Sequence, residues 1–239
     1  MTDEIRFRGD MTVELVKHAA SDADVVWAAR VSTKGETSLA DVEADPERSR
    51  GLINFLMRDR HGTPFEHSTM TFYVRAPIFV FREFMRHRTF SYNEESGRYR
   101  ELAPEFYVPG PSRKLVQQGK PGKYDFAEGT PEQHKLVVEA TQEACRGAYA
   151  AYREMLEAGV AREVARTVLP VGLYSSMYAT CNARALMNFL SLRTRGDDAA
   201  FPSFPQREIE MVAEEMEREW AGLMPLTHAA FEANGRVAP

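Results

Sequence analysis

The sequence predicts an α+β fold, a largely antiparallel central sheet packed by long helices, in a single domain over residues 1–239. Residues 68–75 place Met70, Phe72 and Val74 on one face and Thr69, Thr71 and Tyr73 on the other, the pattern of a half-buried strand. Residues 173–181 alternate again. Residues 130–159 and 205–223 carry apolar stripes at helical spacing, and a 44% hydrophobic content in 239 residues is enough to bury a sizeable core between such layers.

Residues 11–17 roughly alternate and read as a first strand, and residues 22–30 as a short helix capped by Asp22 or Ser21. Residues 33–44 are polar and read as a loop. Residues 46–60 follow Asp45, an N-cap, and set Leu52, Ile53, Phe55 and Leu56 on one side of a helix. After the 68–75 strand, Ala76-Pro77 breaks the ladder, and Pro77 can open a helix over 78–89. Its apolar side is Ile78, Phe81 and Met85; Arg82 with Arg86, and Glu83 with His87, each four apart, share the other. Residues 102–129 are rich in Pro and Gly without a period, so they read as a functional flap or as disorder.

The clearest helix comes next. Thr130 caps it, Pro131 opens it, Gln133 completes a capping box and Gly159 stops it. Its stripe is Val137, Ala144, Ala148, Ala151, Tyr152 and Met155, with Cys145 as a packing residue. A second helix, 161–169, ends at Pro170. After the 173–181 strand, Asn182 can cap a helix to about Leu192 with the stripe Leu186, Phe189 and Leu190. Arg193 continues that stripe. A guanidinium there either snorkels to solvent or meets a ligand, because burying it unpaired is costly. Arg184 and Asn188 stand four apart on a neighbouring face. Ile209, Val212, Met216 and Leu223 mark the last long helix as structural.

The formal charge of −5 argues against a general nucleic-acid binder, whose footprint should be basic. Against that acidity, residues 81–100 hold five arginines and one histidine (Arg82, Arg86, His87, Arg88, Arg98, Arg100), with Ser91, Asn93, Ser96 and Gly97 between them. Guanidinium forks match phosphate oxygens, and hydroxyls with free backbone N–H groups supply further donors, so a local anionic ligand fits. Two cysteines without a CxxC, no charged-then-apolar leader and no long apolar run point to the cytoplasm and away from a membrane. Neither GxGxxG nor GxxxxGK[ST] is present. No HExxH or paired Cys/His spacing suggests a metal, and His61 and His67 are a weak pair. No GxSxG elbow occurs and neither cysteine has a base beside it in sequence, so covalent catalysis has no strong candidate.

The run RHRTFSYNEESGRY, with Arg86-His87-Arg88 and then Ser96, resembles the signature of flavin-dependent thymidylate synthases. HGTPFEH at 61–67, APIFV at 76–80, REVARTVLP at 162–170 and NARALMNFLSLR at 182–193 are similar to that family in its usual order. The resemblance implies conversion of dUMP to dTMP, with methylenetetrahydrofolate as one-carbon donor and FAD, reduced by NADPH, as hydride source. Thr63, Arg86, His87, Arg88, Glu94, Asn182, Ala183, Arg184 and Asn188 resemble the family's flavin contacts. Glu83, Phe84, Met85 and Arg86, with Glu94, Glu95, Ser96, Gly97 and Arg98, match its dUMP runs, and Arg166 a further dUMP arginine. Arg193 matches the arginine acting on the uracil ring. The family's flavin lies between subunits, which implies a homotetramer in which the two clusters meet across an interface.

With no suitable cysteine to add to the uracil, the resemblance implies that Arg193 polarises the ring instead. A nucleotide- or RNA-binding module stacking bases on Tyr92 and Tyr99 is the alternative from another class, and a flavoprotein acting on a different nucleotide is the second. A colourless protein would favour the first of these.

Overall fold

The computed structural model describes residues 4–35, 38–39, 46–120 and 123–239. The strands are β1 (Arg6–Arg8), β2 (Thr12–Ala19), β3 (Thr69–Pro77), β4 (Ser91–Glu94), β5 (Glu105–Tyr107), β6 (Val116–Lys120), β7 (Lys123–Ala127) and β8 (Tyr174–Cys181). A sheet has the order β2-β3-β8-β4; β6 and β7 form an antiparallel hairpin; β1 pairs with β5 in parallel. The hydroxyls of Thr71 and Thr180 lie 2.9 Å apart and the Tyr73 and Tyr178 rings 6.0 Å apart. Residue 71 thus faces 180 and 73 faces 178, the reciprocal register of antiparallel strands. The α+β expectation holds, with the β1–β5 pair as a parallel exception.

The chain divides into two compact units. The first comprises Met1–Thr12, Arg75–Met85 and Asn93–Met177. Helix α3 (Ile78–Phe84) lies in it, as do α4 (Pro131–Glu157) and α5 (Arg162–Ala165), the last followed by a 3-10 turn at Arg166–Val168. The α4 cap is as expected: Thr130 and Gln133 bond reciprocally, and Gly159 has φ +83 just past the end. Its buried face is rotated from the expected stripe. Cys145, Tyr149 and Tyr152 pack against Leu102, Phe106 and Leu173, while Ala144 is exposed, because large aromatics outweigh alanines in fixing which face turns inward.

Two expectations in this unit are corrected. The 102–129 stretch holds β5 and the β6–β7 hairpin. Phe106 is fully buried; β6 (VQQGK) carries no apolar alternation, and Tyr124 and Phe126 in β7 are too short a signal to announce the hairpin. The 78–89 helix stops at Phe84, and Met85, expected on its apolar side, is 43% exposed. Val80, Phe81 and Phe84 are its buried residues. Past the helix the chain turns into β4, where the sequence pattern suggests only an irregular turn.

Glu105 of β5 ties this unit together. It accepts from Arg8 Nη1 at 2.8 Å and from Arg75 Nη2 at 2.5 Å, while Arg8 also pairs with Asp10. Burial alone would raise the Glu105 carboxyl, but its bonds to Arg75 and Arg8 hold it below the usual range. Tyr174 of β8 donates its hydroxyl to the Asp10 carbonyl at 2.8 Å, adding β8 to the same junction.

The second unit comprises Val13–Val74, Arg86–Tyr92 and Tyr178–Pro239. Its helices are α1 (Asp22–Lys34), α2 (Pro46–Arg58), α6 (Ala183–Arg193), α7 (Arg207–Leu223) and α8 (Pro225–Ala233), with a 3-10 turn at Thr63–Glu66. Ser21 caps α1 in a capping box with Asp24. Asp22 caps another helix: its carboxylate accepts from the backbone N–H groups of Leu226 and Thr227 at 2.9 and 2.8 Å, at the start of α8. Helix α1 runs to Lys34, so Thr33 and Lys34 are helical; most of the expected 33–44 loop, and the Asp45 cap, lie outside the described residues. Phe55, expected in the α2 stripe, is instead exposed and stacks on His61 with ring centres 5.6 Å apart.

Replacing Glu105 by Gln removes the carboxylate shared by two partly buried guanidiniums, leaving Arg8 with Asp10, and should cost about 2–3 kcal/mol. Glu215→Gln, which breaks the exposed pair with Arg218, should cost less than about 0.5 kcal/mol. Urea unfolding of both variants measures the difference.

Candidate active site

Helix α6 sets the geometry of the second unit's functional residues. Asn182 is its N-cap, the side-chain oxygen accepting from Ala185 N–H at 2.8 Å, and Ala183 N–H donates to Ser68 Oγ at 3.0 Å. Leu186, Phe189 and Leu190 are fully buried. Each contributes about 2 kcal/mol, enough to fix the helix's rotation. Arg193, on the same stripe, is therefore carried to the inner face at the C-terminal end.

There it does not snorkel. Arg193 Nε donates to His87 Nε2 at 3.0 Å, and the His87 ring meets Phe189 edge-on at 4.8 Å. His87 is only 8% exposed. Burial, reinforced by the Arg193 charge, lowers its pKa to about 4. The imidazole is neutral near pH 7, which it must be to accept from a guanidinium. The four-residue spacing predicts His87 on a polar helix face beside Glu83. The helix ends before it, and the ring turns inward against Phe189 and Phe90, while the Tyr92 hydroxyl donates to the His87 backbone carbonyl at 2.9 Å.

Arg86 and Arg88 flank this buried histidine and are exposed; among the described residues no hydrogen bond or ion pair engages either. Two uncommitted guanidiniums beside a neutral ring suit a diphosphate-bearing ligand such as FAD. At the other end of α6 the residues are already engaged. Arg184 donates to Glu66 Oε1 at 2.5 Å and to the Pro239 carbonyl at 2.6 Å, and Asn188 donates to the Arg184 carbonyl at 3.0 Å. A Cβ on Gly62 would sit 2.5 Å from the Arg184 guanidinium carbon, so only glycine admits that approach. Thr63, next to it, lines a cavity of about 260 Å³ with His61, His67, Ala28 and Ser32. Thr63 and Arg184 thus cluster at one end of α6, and His87 and Arg193 at the other, about 15 Å away along an eleven-residue helix.

In the first unit, Glu83 and Phe84 form the last turn of α3, and Glu94, Glu95, Ser96, Gly97 and Arg98 lead from β4 into a turn. The Ser96 carbonyl accepts from Tyr99 N–H at 3.0 Å, and its hydroxyl accepts from Arg98 N–H at 3.3 Å. Those N–H groups, expected to be open to an anion, are spent within the turn. Arg166 packs beneath it: a Cβ on Gly97 would lie 3.1 Å from Arg166 Cδ and 2.8 Å from Leu102 Cδ1. Glu95 points back into the fold, accepting from Ser176 Oγ and Arg100 Nε, both at 3.1 Å. Arg98 pairs with Glu163 on the surface at 2.9 Å. Glu94 is open to solvent along one edge but crowded enough that burial raises its carboxyl pKa; Ser175 and Arg166 oppose that rise and Glu95 adds to it. Both cysteines are buried, and burial pushes both thiols up, so neither is poised as a thiolate.

Residues 14–226 match the family model described as thymidylate synthase complementing protein. A flavin-dependent thymidylate synthase of Streptomyces coelicolor is 73% identical over 237 residues, which are 99% of this chain and 96% of that protein. The chain belongs to the flavin-dependent thymidylate synthase family. A second member, from Tropheryma whipplei strain TW08/27, is 61% identical across 98% of this chain and 97% of its own. Among solved structures, the UMP/dUMP methylase PolB of Streptomyces cacaoi, bound with 5-Br dUMP, is similar at a TM-score of 0.92 and 59% identity, covering 98% of this chain and 100% of that one. Two features of this family member have no signal in the sequence, the burial of His87 and the partners of Arg184, since no local pattern marks either.

His87 makes stability depend on pH. The unfolded chain protonates it near 6.5 and the folded chain only near 4, so its stabilising contribution is intact above that window and is lost as pH falls through it. Thermal melting of His87→Gln, which keeps an acceptor but cannot titrate, should show a flatter decline across this range than the unsubstituted protein.

Proposed function

We propose that this chain catalyses the reductive methylation of dUMP to dTMP, with Arg193 acting on the uracil ring. The observation that carries the reading is the Arg193–His87 bond, which holds a guanidinium at the end of an apolar stripe against a neutral base, beside the uncommitted Arg86 and Arg88. Membership of the flavin-dependent family, and the 5-Br dUMP bound to the similar S. cacaoi protein, support the choice of cofactor and substrate.

Arg193 would donate to the carbonyl/N3 edge of uracil and stabilise the negative charge that builds there as C5 becomes nucleophilic. One such donor in a desolvated setting is worth roughly 3–4 kcal/mol. His87 supports this by staying neutral, so it adds no second positive charge and keeps its bond to Arg193. No thiolate is called for, in keeping with two buried, protonated cysteines. Methylenetetrahydrofolate would give the methylene in exchange for the C5 proton, and a flavin held by this chain's residues and reduced by NADPH would supply the hydride that completes the methyl group as tetrahydrofolate is released. Glu83 through Arg86, Glu94 through Arg98, and Arg166 are the proposed dUMP residues. Thr63, Arg86 through Arg88, Glu94, Asn182, Ala183, Arg184 and Asn188 are the proposed flavin residues.

The two flavin clusters stand at opposite ends of α6, about 15 Å apart within one chain. Following the family resemblance, we read the protein as a homotetramer in which the Arg86–Arg88 run of one subunit and the Arg184 end of another share one flavin. We read residues 1–239 as one functional domain, acting in the cytoplasm on nucleotide and folate substrates and not on nucleic acid. Among the described residues no helix is long and apolar enough to cross a membrane.

A second substrate reading has one specific support: the S. cacaoi relative is named a methylase of UMP as well as dUMP. Parallel assays with dUMP and UMP, methylenetetrahydrofolate and NADPH separate the two, and dTMP formation exceeding methylation of UMP is the expected result. Arg193→Ala should lower turnover by about two to three orders of magnitude while flavin absorbance is retained. Near-normal dTMP formation by that variant would remove Arg193 from its role.

A further inference from the structure

Arg193 is the last residue of α6, and the chain just beyond it is firmly held. Thr194, the C-cap, is 6% exposed, and both its N–H and its hydroxyl donate to the Leu190 carbonyl, at 3.0 and 2.8 Å. The Thr194 oxygen in turn accepts from Arg236 Nη2 at 2.7 Å. Arg236 comes from beyond α8, 42 residues away in sequence, and Glu217 of α7 grips its fork with two bonds of 2.8 Å each. His228 Nε2 lies 3.0 Å from Glu217 Oε1, and Glu232 pairs with Arg236 Nη1. The Arg236 and Glu217 side chains are only 13% and 16% exposed.

The backbone is bent to deliver this guanidinium. Gly235 and Arg236 both have positive φ, 74° and 56°. A non-glycine residue adopts that region at a cost, so the surrounding bonds must over-determine it. Glycine is also required on the facing loop, since a Cβ on Gly196 would lie 2.8 Å from Arg236 Cδ. Glu217, His228 and Glu232 converge like metal ligands, but Arg236 already supplies their positive charge.

We propose that Arg236, fixed by Glu217, is a positioning residue: it clamps Thr194 and thereby sets the direction in which Arg193 leaves α6 toward His87 and the pyrimidine. The inference rests on the role given to Arg193 above. With the Leu190 carbonyl occupied twice by Thr194, the helix end cannot unwind by a residue without breaking a buried polar network. The Arg193 Cα therefore has one setting relative to the His87 ring. Lysine could satisfy Glu217, but it lacks the planar fork that reaches Glu217 and Thr194 together.

Thr194→Val removes the hydroxyl while keeping the shape. It should lower kcat about tenfold, with KM for dUMP and flavin absorbance little changed, because an error of about 1 Å or less at a reacting group costs rate more than binding. Thr194→Ser should restore kcat, and Arg236→Lys should match Thr194→Val. Independently of turnover, the Nε2 resonance of His87, followed by NMR, should shift in Thr194→Val. In an Arg193→Ala background the same substitution should change the remaining rate by less than about twofold, as for two residues acting through one contact. The proposal is overturned if Thr194→Val and Arg236→Lys lower only the melting temperature, or if Thr194→Val costs the same factor with Arg193 absent. A normal rate for Arg193→Ala alone would instead sink the role of Arg193, and the two failures are distinguished by that single variant.

Discussion

A positive charge at the end of an apolar helix stripe has to be met by a hydrogen-bond acceptor, because burying it unpaired is costly. Here that acceptor is His87 Nε2, and the requirement propagates outward. The ring must be buried to stay neutral, so the helix that begins at Ile78 stops short of it. Phe189 and Phe90 pack edge-on against the ring, and the arginines on either side of it turn out to solvent. Exposed Arg86 and Arg88 and part-buried Arg193 thus offer guanidiniums in two different settings.

Helix α6 spaces the site as well as supporting it. Its N-terminal end is fixed by Asn182 and by the Ser68 hydroxyl on the Ala183 N–H. Its C-terminal end is fixed by Thr194 and Arg236. Between them, fully buried Leu186, Phe189 and Leu190 leave no rotational freedom. Arg184 at one end and Arg193 at the other are thus held at a set separation inside one chain.

The 94–98 turn solves a different problem. Two successive carboxylates, Glu94 and Glu95, have to be accommodated within it. Glu95 is drawn inward by Ser176 and Arg100, and burial raises the Glu94 carboxyl. Glycine at position 97 lets Arg166 approach the backbone of the turn, which no other residue would allow without displacing it or Leu102.

Much of this was legible in the chain. Alternation in 68–75 and 173–181, the Thr130 and Asn182 caps and the anomalous Arg193 are local patterns, set by side-chain periodicity and by backbone groups that need partners within a turn of helix. The arginine signature was legible for a similar reason, because anion recognition concentrates one residue type in a short run. The early end of the helix at Phe84, the inward face of α4, the β6–β7 hairpin and the burial of His87 were not. Tertiary partners distant in the chain decide such features: Phe106 and Leu173 for α4, Phe189 and Arg193 for His87, Arg236 for Thr194. Sequence alone determined which residues carry charge and where helices and strands begin, since those depend on near neighbours. Only the tertiary structure decided which of the charges are buried, neutralised or left open, because desolvation and pairing depend on the elements that fold against them.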